Sequence, residues 1–144
     1  MISIKEAVQD IVNKRRTDGV MNYISPSYIS ANADAPVGDV LRTFATNPSP
    51  NFSVIVQESE ASRKLRGIIT RSDLGRGGDT AEQIASTPVI AIRNVSSLGD
   101  ALDILNGGNS LGLRLDCLPV VNESDALVGV LTLEGINKKI RESL

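Results

Sequence analysis

The chain has 144 residues, of which 41% are hydrophobic and 22% charged, a composition typical of a soluble domain with one substantial core. A formal net charge of −2 and a sequence pI of about 5.1 argue against nucleic-acid binding, which needs a clustered basic surface. No apolar run is long enough to span a bilayer, and the N-terminus is unlike a signal peptide, so we expect a cytoplasmic protein. The single cysteine, Cys117, cannot close an intrachain disulfide, and its apolar neighbours predict a buried thiol.

The N-terminal segment predicts an amphipathic helix. Ser3 followed by Glu6 fits a capping box. The apolar residues after Ser3 recur at helical spacing: Ile4, Ala7, Val8, Ile11 and Val12. This stripe requires burial on the chain's own core or against a second copy, and the sequence leaves both open. The basic run Lys14 to Arg16 is interpreted as a solvated helix end that complements the helix dipole.

Two segments of the chain repeat at nearly constant spacing. Leu65 to Thr70 (LRGIIT) returns 62 residues later as Leu127 to Thr132 (LVGVLT). Gly38 to Leu41 (GDVL) matches Gly99 to Leu102 (GDAL) at a shift of 61 residues. Such a period indicates a duplicated structural unit. Each half therefore predicts the order strand, helix, strand, strand, helix.

The first half is expected to begin with a weak strand within Tyr28 to Asn32. Strand-like runs follow at Phe52 to Val56 and at Leu65 to Ile69, and a helix is expected to start at Thr70 to Asp73. Gly75 to Gly78 is interpreted as a flexible connection. Asp79 or Thr80 is expected to cap a short helix that runs through Ile84 and ends before Pro88.

The second half has clearer signals. Val89 to Arg93 is a β-branched run that predicts a strand, and Ser97 with Asp100 predicts the start of a helix that Gly107 stops. Leu118 to Val121 and Leu127 to Leu131 flank a cluster of turn formers and predict a hairpin. A final helix is expected to place four apolar residues on one face: Leu133, Ile136, Ile140 and Leu144.

Three motifs in this order, GIITRSDL (Gly67 to Leu74), STPVIAI (Ser86 to Ile92) and LPVVNESDALVGVLT (Leu118 to Thr132), resemble a pair of CBS (cystathionine β-synthase) domains, or Bateman module. The resemblance covers roughly residues 25 to 141. It implies a mixed α/β (α+β) fold in which two β-α-β-β-α motifs, related by a pseudo-twofold axis, pack sheet to sheet. The expected boundaries are an N-terminal helix and linker at 1–24, a first motif at 25–78 and a second at 79–144.

The residues at and after the end of the predicted strand Leu65 to Ile69 have side chains suited to binding a nucleotide. Strand residues Ile68 and Ile69 lead into a helix start whose unpaired N–H groups favour a phosphate. Thr70 can donate its hydroxyl to that phosphate and Arg71 can add charge, while Asp73 can accept hydrogen bonds from ribose hydroxyls. On the residues alone, helix capping by Thr70 and Asp73 is favoured over a nucleotide site, because both residue types commonly cap helices, and a solvent-facing Arg71 is an open alternative.

The resemblance implies that the matching threonine and aspartate carry phosphate and ribose. It places the adenine base against Thr87 and Val89 to Ala91, with Cys117 and Leu118 as an apolar wall. The complete predicted binding set is Ile68, Thr70, Arg71, Ser72, Asp73, Thr87, Val89, Ile90, Ala91, Cys117, Leu118 and Thr132. In the second half Thr132 is retained, but Gly135 stands at the position of Asp73, so we expect the second cleft to bind weakly or not at all.

The sequence offers little for catalysis. Histidine is absent, one cysteine is present and no metal-ligand cluster is visible, so we expect neither an enzyme nor an obligatory cofactor. Two hypotheses remain. One is a sensor that binds AMP, ADP or ATP, forms a homodimer and regulates a separate protein; the other is a structural interaction module that has lost the ligand. The connections Gln57 to Arg66 and Asn106 to Asp116 are long enough to serve a partner or to be tolerated insertions.

Overall fold

A computed structural model describes residues 3–25, 28–87, 89–109 and 111–143, apart from the side chain of Val8. The fold is mixed α/β, with two three-stranded sheets. Its main elements are α1 (Ile4–Lys14), β1 (Ser30–Asn32), α2 (Val37–Ala45), β2 (Val54–Gln57), β3 (Leu65–Ile69), α3 (Ala81–Ile84), β4 (Ile92–Arg93), α4 (Leu98–Leu105), β5 (Leu118–Val121), β6 (Leu127–Leu131) and α5 (Leu133–Glu142). Two 3₁₀ helices span Val20–Asn22 and Arg71–Gly75.

The chain divides into two compact units that do not coincide with the two halves of the sequence. The terminal unit takes residues 1–26, 90–120 and 128–144, and the central unit takes residues 27–89 and 121–127. The central unit therefore contains the first copy, the segment that precedes the second copy and residues 121–127 of the second copy; the terminal unit contains the rest of the second copy and the segment that precedes the first. The repeat pattern of the sequence alone does not show that segments of each half belong to the other unit.

The central unit is built on the sheet β1-β2-β3. β1 runs parallel to β2, and β2 runs antiparallel to β3 with a bulge between Val56 and Gln57. Every residue of β2 is buried. The core cluster of this unit contains Val40, Phe44, Val54, Val56, Ile69, Ala81, Ile84 and Ala85.

The terminal unit is built on the sheet β4-β5-β6 with α1, α4 and α5. Ser97 caps α4 by accepting from the Asp100 N–H at 3.2 Å, as the sequence predicts. The core of this unit contains Val12, Val20, Tyr23, Ile92, Leu98, Ala101, Leu102, Leu105, Leu118, Val120, Leu131, Ile136 and Ile140. The predicted apolar face of α5 is thus confirmed at Ile136 and Ile140, while Leu144 lies outside the described residues.

The N-terminal helix is confirmed, and so is the Ser3 half of its predicted capping box, because Ser3 Oγ accepts from the Glu6 N–H at 3.1 Å. Part of its apolar stripe is buried within the terminal unit: Val12 lies in the core and Ile11 packs against it. Ile4, in contrast, is 77% exposed. Among the described side chains of the stripe, Val12 and Ile11 are therefore covered by this chain, and Ile4 is not.

The interpretation of Lys14 to Arg16 as a solvated helix end is wrong for Arg16. Its guanidinium donates to Asp103 Oδ1 at 2.7 Å and to the Gly99 carbonyl at 3.2 Å. The Gly99 N–H donates back to the Arg16 carbonyl at 2.8 Å. Arg16 therefore holds the chain that follows α1 against the N-terminus of α4, a long-range role that a local charge pattern does not reveal.

The residues between α1 and β1 extend the repeat upstream. Asp18 to Ser25 (DGVMNYIS) recurs 61 positions later as Asp79 to Ser86 (DTAEQIAS). The two copies make the same contact: the Leu98 N–H donates to the Asp18 carbonyl at 2.7 Å, and the Val37 N–H donates to the Asp79 carbonyl at 2.9 Å. Each copy thus covers the start of a helix within its own unit. The expected motif boundaries at residues 25 and 79 stay a prediction.

Tyr23 anchors the upstream copy of this segment. It is buried, and its hydroxyl donates to Asp18 Oδ2 at 2.7 Å. Burial raises the pKa of the Tyr23 hydroxyl above its ordinary value, and the hydrogen bond to the Asp18 carboxylate raises it further. The neutral phenol is therefore the form that the fold stabilises.

Two predicted elements differ in the structure. The strand predicted at Val89 to Arg93 is limited to Ile92–Arg93, and Pro88 within the same motif lies outside the described residues. The helix expected after β3 is a 3₁₀ helix of five residues. Three of the four residues from Gly75 to Gly78 are glycine, which has a low helix propensity, whereas the run after Thr132 continues as α5.

The two hairpin connections pair with each other inside the central unit. The Leu65 N–H donates to the Asp125 carbonyl at 3.0 Å, and the Leu127 N–H donates to the Arg63 carbonyl at 2.9 Å. Arg63 and Asp125 occupy equivalent positions and both have a positive φ, of 52° and 62°. The predicted turn after β5 is confirmed, since Asn122 accepts from the Asp125 N–H at 3.0 Å.

Candidate functional site

The carboxylate of Asp73 is the centre of the candidate site in the central unit. Asp73 is 2% exposed, although it lies in a short 3₁₀ helix that directly follows β3. Its Oδ2 accepts from the Thr70 N–H at 2.9 Å and from the Thr70 hydroxyl at 3.0 Å. Its Oδ1 accepts from the Ser86 hydroxyl at 2.8 Å and lies 3.4 Å from Arg76 Nε. A buried carboxylate is thus satisfied by three neighbouring residues.

Thr70 and Asp73 form a capping box at the start of the 3₁₀ helix. The capping role that the sequence left open is therefore present. Thr70 is half-buried, and its hydroxyl also lies 2.9 Å from the exposed Ser72 hydroxyl. Because the helix has only five residues, fewer peptide dipoles align at this point than the expected full helix would supply.

Arg71 is directed toward the loop that follows α2. Its Nε donates to the Ser49 carbonyl at 3.0 Å and its Nη2 donates to the Asn47 carbonyl. The guanidinium carbon also lies 5.3 Å from the centre of the Phe44 ring, within the range of a cation–π contact. In this structure, Arg71 takes neither the solvent-facing position nor a position beside Asp73.

The segment that precedes β4 crosses β3 at a glycine. Ile68 forms an antiparallel bridge with Ser86, in which the Ser86 N–H donates to the Ile68 carbonyl at 2.9 Å. A Cβ at Gly67 would lie 2.9 Å from Ala85 Cβ and 3.2 Å from the Ser86 carbonyl oxygen. The absence of a side chain at Gly67 is what lets this segment approach. Thr87, exposed, follows directly, so the structure brings Ile68, Asp73 and the start of the predicted adenine segment together.

The other predicted site residues divide between the two units. Val89 is the last residue of the central unit, and Ile90, Ala91, Cys117, Leu118 and Thr132 belong to the terminal unit. Leu118 is buried in β5, and Ile90 packs against the core. Cys117 is only partly buried and is not among the core residues, which differs from the predicted buried thiol; it lies just before β5, at the end of an exposed loop.

The second copy of the motif has a simpler cap. Thr132 Oγ1 accepts from the Gly135 N–H at 2.9 Å at the start of α5. Gly135 has no side chain to return the bond, and a Cβ added there would lie 2.9 Å from that same hydroxyl oxygen. The acid at the centre of the first copy thus has no counterpart at the equivalent position.

Sequence reasoning missed two residues of the Asp73 network, Ser86 and Arg76. Ser86 is 13 residues from Asp73 and reaches it only because its segment crosses β3. Arg76 lies three residues after Asp73, a spacing that could have indicated an ion pair. Among the described residues there is no cluster of three or more metal-ligating side chains, and none of the described helices has the length and apolar character needed to cross a membrane.

Comparison with solved structures supports the fold. The cytosolic domain of the Mg²⁺ channel MgtE in complex with ATP is 20% identical, with a TM-score of 0.66 over 96% of this chain and 53% of that one. CBSX2 in complex with AMP is 18% identical, with a TM-score of 0.70 over 87% of this chain and 97% of that one.

Comparisons of the sequence find a curated relative and a matching family model. Inosine-5'-monophosphate dehydrogenase from Methanocaldococcus jannaschii is 24% identical over 141 residues, which are 96% of this chain and 26% of the relative. The chain thus spans about a quarter of the length of this curated relative. The family model for the CBS domain matches twice in tandem, at residues 20–76 and 81–142. The chain therefore belongs to the CBS domain family.

Proposed function

We propose that this chain is a regulatory module, without catalytic activity of its own, that binds an adenine nucleotide and modulates a separate partner protein. CBS pairs are similar to it in fold, and solved neighbours include one in complex with ATP and one in complex with AMP. The observation that carries the proposal is the buried Asp73 carboxylate, which lies beside the Thr70 hydroxyl and the segment leading to Thr87. We further propose that the protein acts in the cytoplasm as a homodimer.

In the proposed complex, the ribose hydroxyls donate to Asp73 and the phosphate accepts from Thr70 with Ser72 beside it. Within the central unit, the adenine lies along Thr87 and Val89, beside Ile68, which forms a bridge with Ser86. The contacts expected from the resemblance at Ile90, Ala91, Cys117 and Leu118 stay predictions. A carboxylate offers about four lone-pair sites, and Asp73 already has four partner atoms. Ribose binding therefore requires exchange of the Ser86 hydroxyl and Arg76, the two partners on Oδ1.

The second copy is proposed to bind weakly or not at all. Thr132 could still contact a phosphate, but Gly135 offers no acceptor for a ribose hydroxyl. Charge-assisted hydrogen bonds are roughly twice as strong as neutral ones, so the missing carboxylate is the main difference between the two copies. One nucleotide per chain is the expected stoichiometry.

The alternative function is a structural interaction module of the same fold that binds no ligand. One observation favours it: the hydrogen bonds of Asp73 are satisfied within the protein, and both Thr70 and Asp73 act as a cap. In this alternative, Asp73 contributes only stability. The two functions therefore make opposite predictions for ligand affinity.

Calorimetric titration and thermal shift with AMP, ADP, ATP, NAD and S-adenosylmethionine test the proposal. A ligand that binds only the folded state raises the unfolding midpoint by mass action. Asp73→Ala is expected to abolish measurable binding, whereas Asp34→Ala, which removes an exposed aspartate of the same unit, should leave affinity unchanged.

Loss of the cap in Asp73→Ala should also cost about 0.5 to 2 kcal/mol of unfolding free energy. A urea melt therefore accompanies each titration and establishes that the variant is folded at the temperature used. Asp73→Asn, which keeps one acceptor oxygen, is measured beside it. If the wild-type chain binds none of the five ligands, or if Asp73→Ala binds as well as wild type, the ribose assignment is refuted.

A further inference from the structure

The four partner atoms of Asp73 differ in how easily a ligand could replace them. The two on Oδ2 belong to Thr70, three residues away in the same capping box, and replacing them would open the start of the 3₁₀ helix. On Oδ1, the Ser86 hydroxyl can rotate while its backbone stays bridged to Ile68. The remaining partner is Arg76, whose side chain is 55% exposed.

Arg76 is the partner that can leave at the lowest structural cost. It follows the last residue of the 3₁₀ helix, and more than half of its side chain is already exposed to solvent. The Arg76 side chain can therefore turn away from Asp73 into solvent while its backbone N–H stays bonded to the Asp73 carbonyl. A guanidinium stays protonated in proteins, so the charge that leaves Asp73 remains available to another anion.

The neighbouring arginine is not available in the same way. Arg71 uses Nε and Nη2 to hold the carbonyls of Ser49 and Asn47, and its guanidinium lies over the Phe44 ring. Moving it toward a ligand would release the loop after α2. Of the two arginines that flank Asp73 in the sequence, Arg76 is the one whose transfer leaves the fold in place.

We infer that Arg76 sets the preference of this site for phosphorylated adenosine ligands over the bare nucleoside. The inference rests on the proposed function and names the residue that determines which adenosine ligands the site prefers. A ribose that takes Oδ1 displaces Arg76 in either case. A nucleotide compensates the guanidinium with its phosphate, whereas adenosine leaves it without an anionic partner. Arg76 therefore weakens the binding of adenosine to Asp73 and strengthens the binding of AMP.

The test is a calorimetric comparison of AMP and adenosine on the wild-type chain and on Arg76→Ala. We expect AMP to bind about tenfold more weakly to the variant, because a charge-assisted contact is lost. Adenosine should bind more tightly, by a few-fold, because nothing competes for Oδ1. The two affinities thus move in opposite directions, which loss of packing alone would not produce. Raising the salt concentration should weaken AMP binding more in wild type than in the variant.

Arg42→Ala is a matched control, because Arg42 also pairs with an aspartate three residues away, Asp39, at 3.2 Å. There the Asp39 side chain is 58% exposed, whereas the Asp73 side chain is 3% exposed. The control should change neither affinity. Arg76→Gln, which keeps the length and loses the charge, should behave like Arg76→Ala and provides a second variant if the alanine form does not fold.

The outcomes separate this inference from the proposed function. If wild type binds AMP and Arg76→Ala binds AMP equally well, or if both ligands weaken together, the role of Arg76 is refuted and the proposed function stands. If wild type binds neither AMP nor adenosine, the inference is refuted, and the proposed function is refuted with it only when ADP, ATP, NAD and S-adenosylmethionine also fail to bind. Opposite shifts for the two ligands, absent in Arg42→Ala, support the inference.

Discussion

Gly67→Ala tests whether the crossing of β3 by the following segment supports the central unit. The added Cβ would lie 2.9 Å from Ala85 Cβ, well inside the contact distance of about 3.5 to 4.0 Å for two carbon atoms. It would also lie 3.2 Å from the Ser86 carbonyl oxygen. The segment must therefore retreat, which lengthens the 2.9 Å hydrogen bond from the Ser86 N–H to the Ile68 carbonyl.

The expected cost combines opposing effects. Overpacking of this kind costs about 1 to 3 kcal/mol, and a weakened backbone hydrogen bond adds up to about 1 kcal/mol. Replacing glycine by alanine restricts the unfolded chain and returns about 0.4 to 1 kcal/mol. We expect a net loss of about 1 to 3 kcal/mol, measured as a lower urea midpoint at unchanged m-value.

Two further variants make the experiment specific. Gly77→Ala should be neutral or slightly stabilising, since no heavy atom lies within 4 Å of its Cβ position. Gly129→Ala, in the equivalent position of the terminal unit, should be destabilised like Gly67→Ala, because its Cβ would lie 3.0 Å from the Ser25 carbonyl oxygen. A Gly67→Ala chain as stable as wild type, or a Gly77→Ala chain equally destabilised, would refute the reasoning.

Three further predictions concern the second copy, the assembly and pH. Titration of Gly135→Asp should give about two nucleotides per chain instead of about one, once the Thr132 hydroxyl, 2.9 Å from the new Cβ, has rotated away. Unchanged stoichiometry in a folded variant would contradict the difference in ribose binding between the two copies. Light scattering on a sizing column should give about twice the chain mass of 15.3 kDa, and a monomer across micromolar concentrations would count against the proposed homodimer. Because the pKa of Tyr23 is raised in the fold, its stabilisation is complete below about pH 10 and declines as pH rises further. The difference in unfolding free energy between wild type and Tyr23→Phe should therefore shrink above about pH 10, and a constant difference would rule this out.

The elements of the repeat were predictable because their signals are local. The strands at Leu118 to Val121 and Leu127 to Leu131 were identified as apolar runs on either side of a turn-forming cluster, and a cap with helical spacing identified α4. The hairpin turn at Asn122 to Asp125 followed from its turn-forming residues. In each case the signal lies within the element, so no tertiary contact was needed to find it.

The candidate site was predictable only in part. The sequence identified Thr70 and Asp73 as a pair that can cap a helix or bind a ligand, and the structure shows the cap. It did not identify Ser86 or Arg76 as partners of Asp73, nor the hold of Arg71 on the loop after α2. Ser86 reaches Asp73 only because its segment crosses β3. Arg71 contacts Ser49 only because the loop after α2 folds back toward it.

The sequence by itself determined the duplicated motif, the family it resembles and the absence of an acid at Gly135, because each is a property of residue identity and spacing. Only the tertiary structure decided which segment joins which unit. It brought Ser86 to Asp73 and Arg16 to the start of α4, across 13 and 83 residues of chain. Hydrogen bonds between distant residues depend on the folded path of the backbone, and that path is set by burial of the whole core rather than by any local pattern.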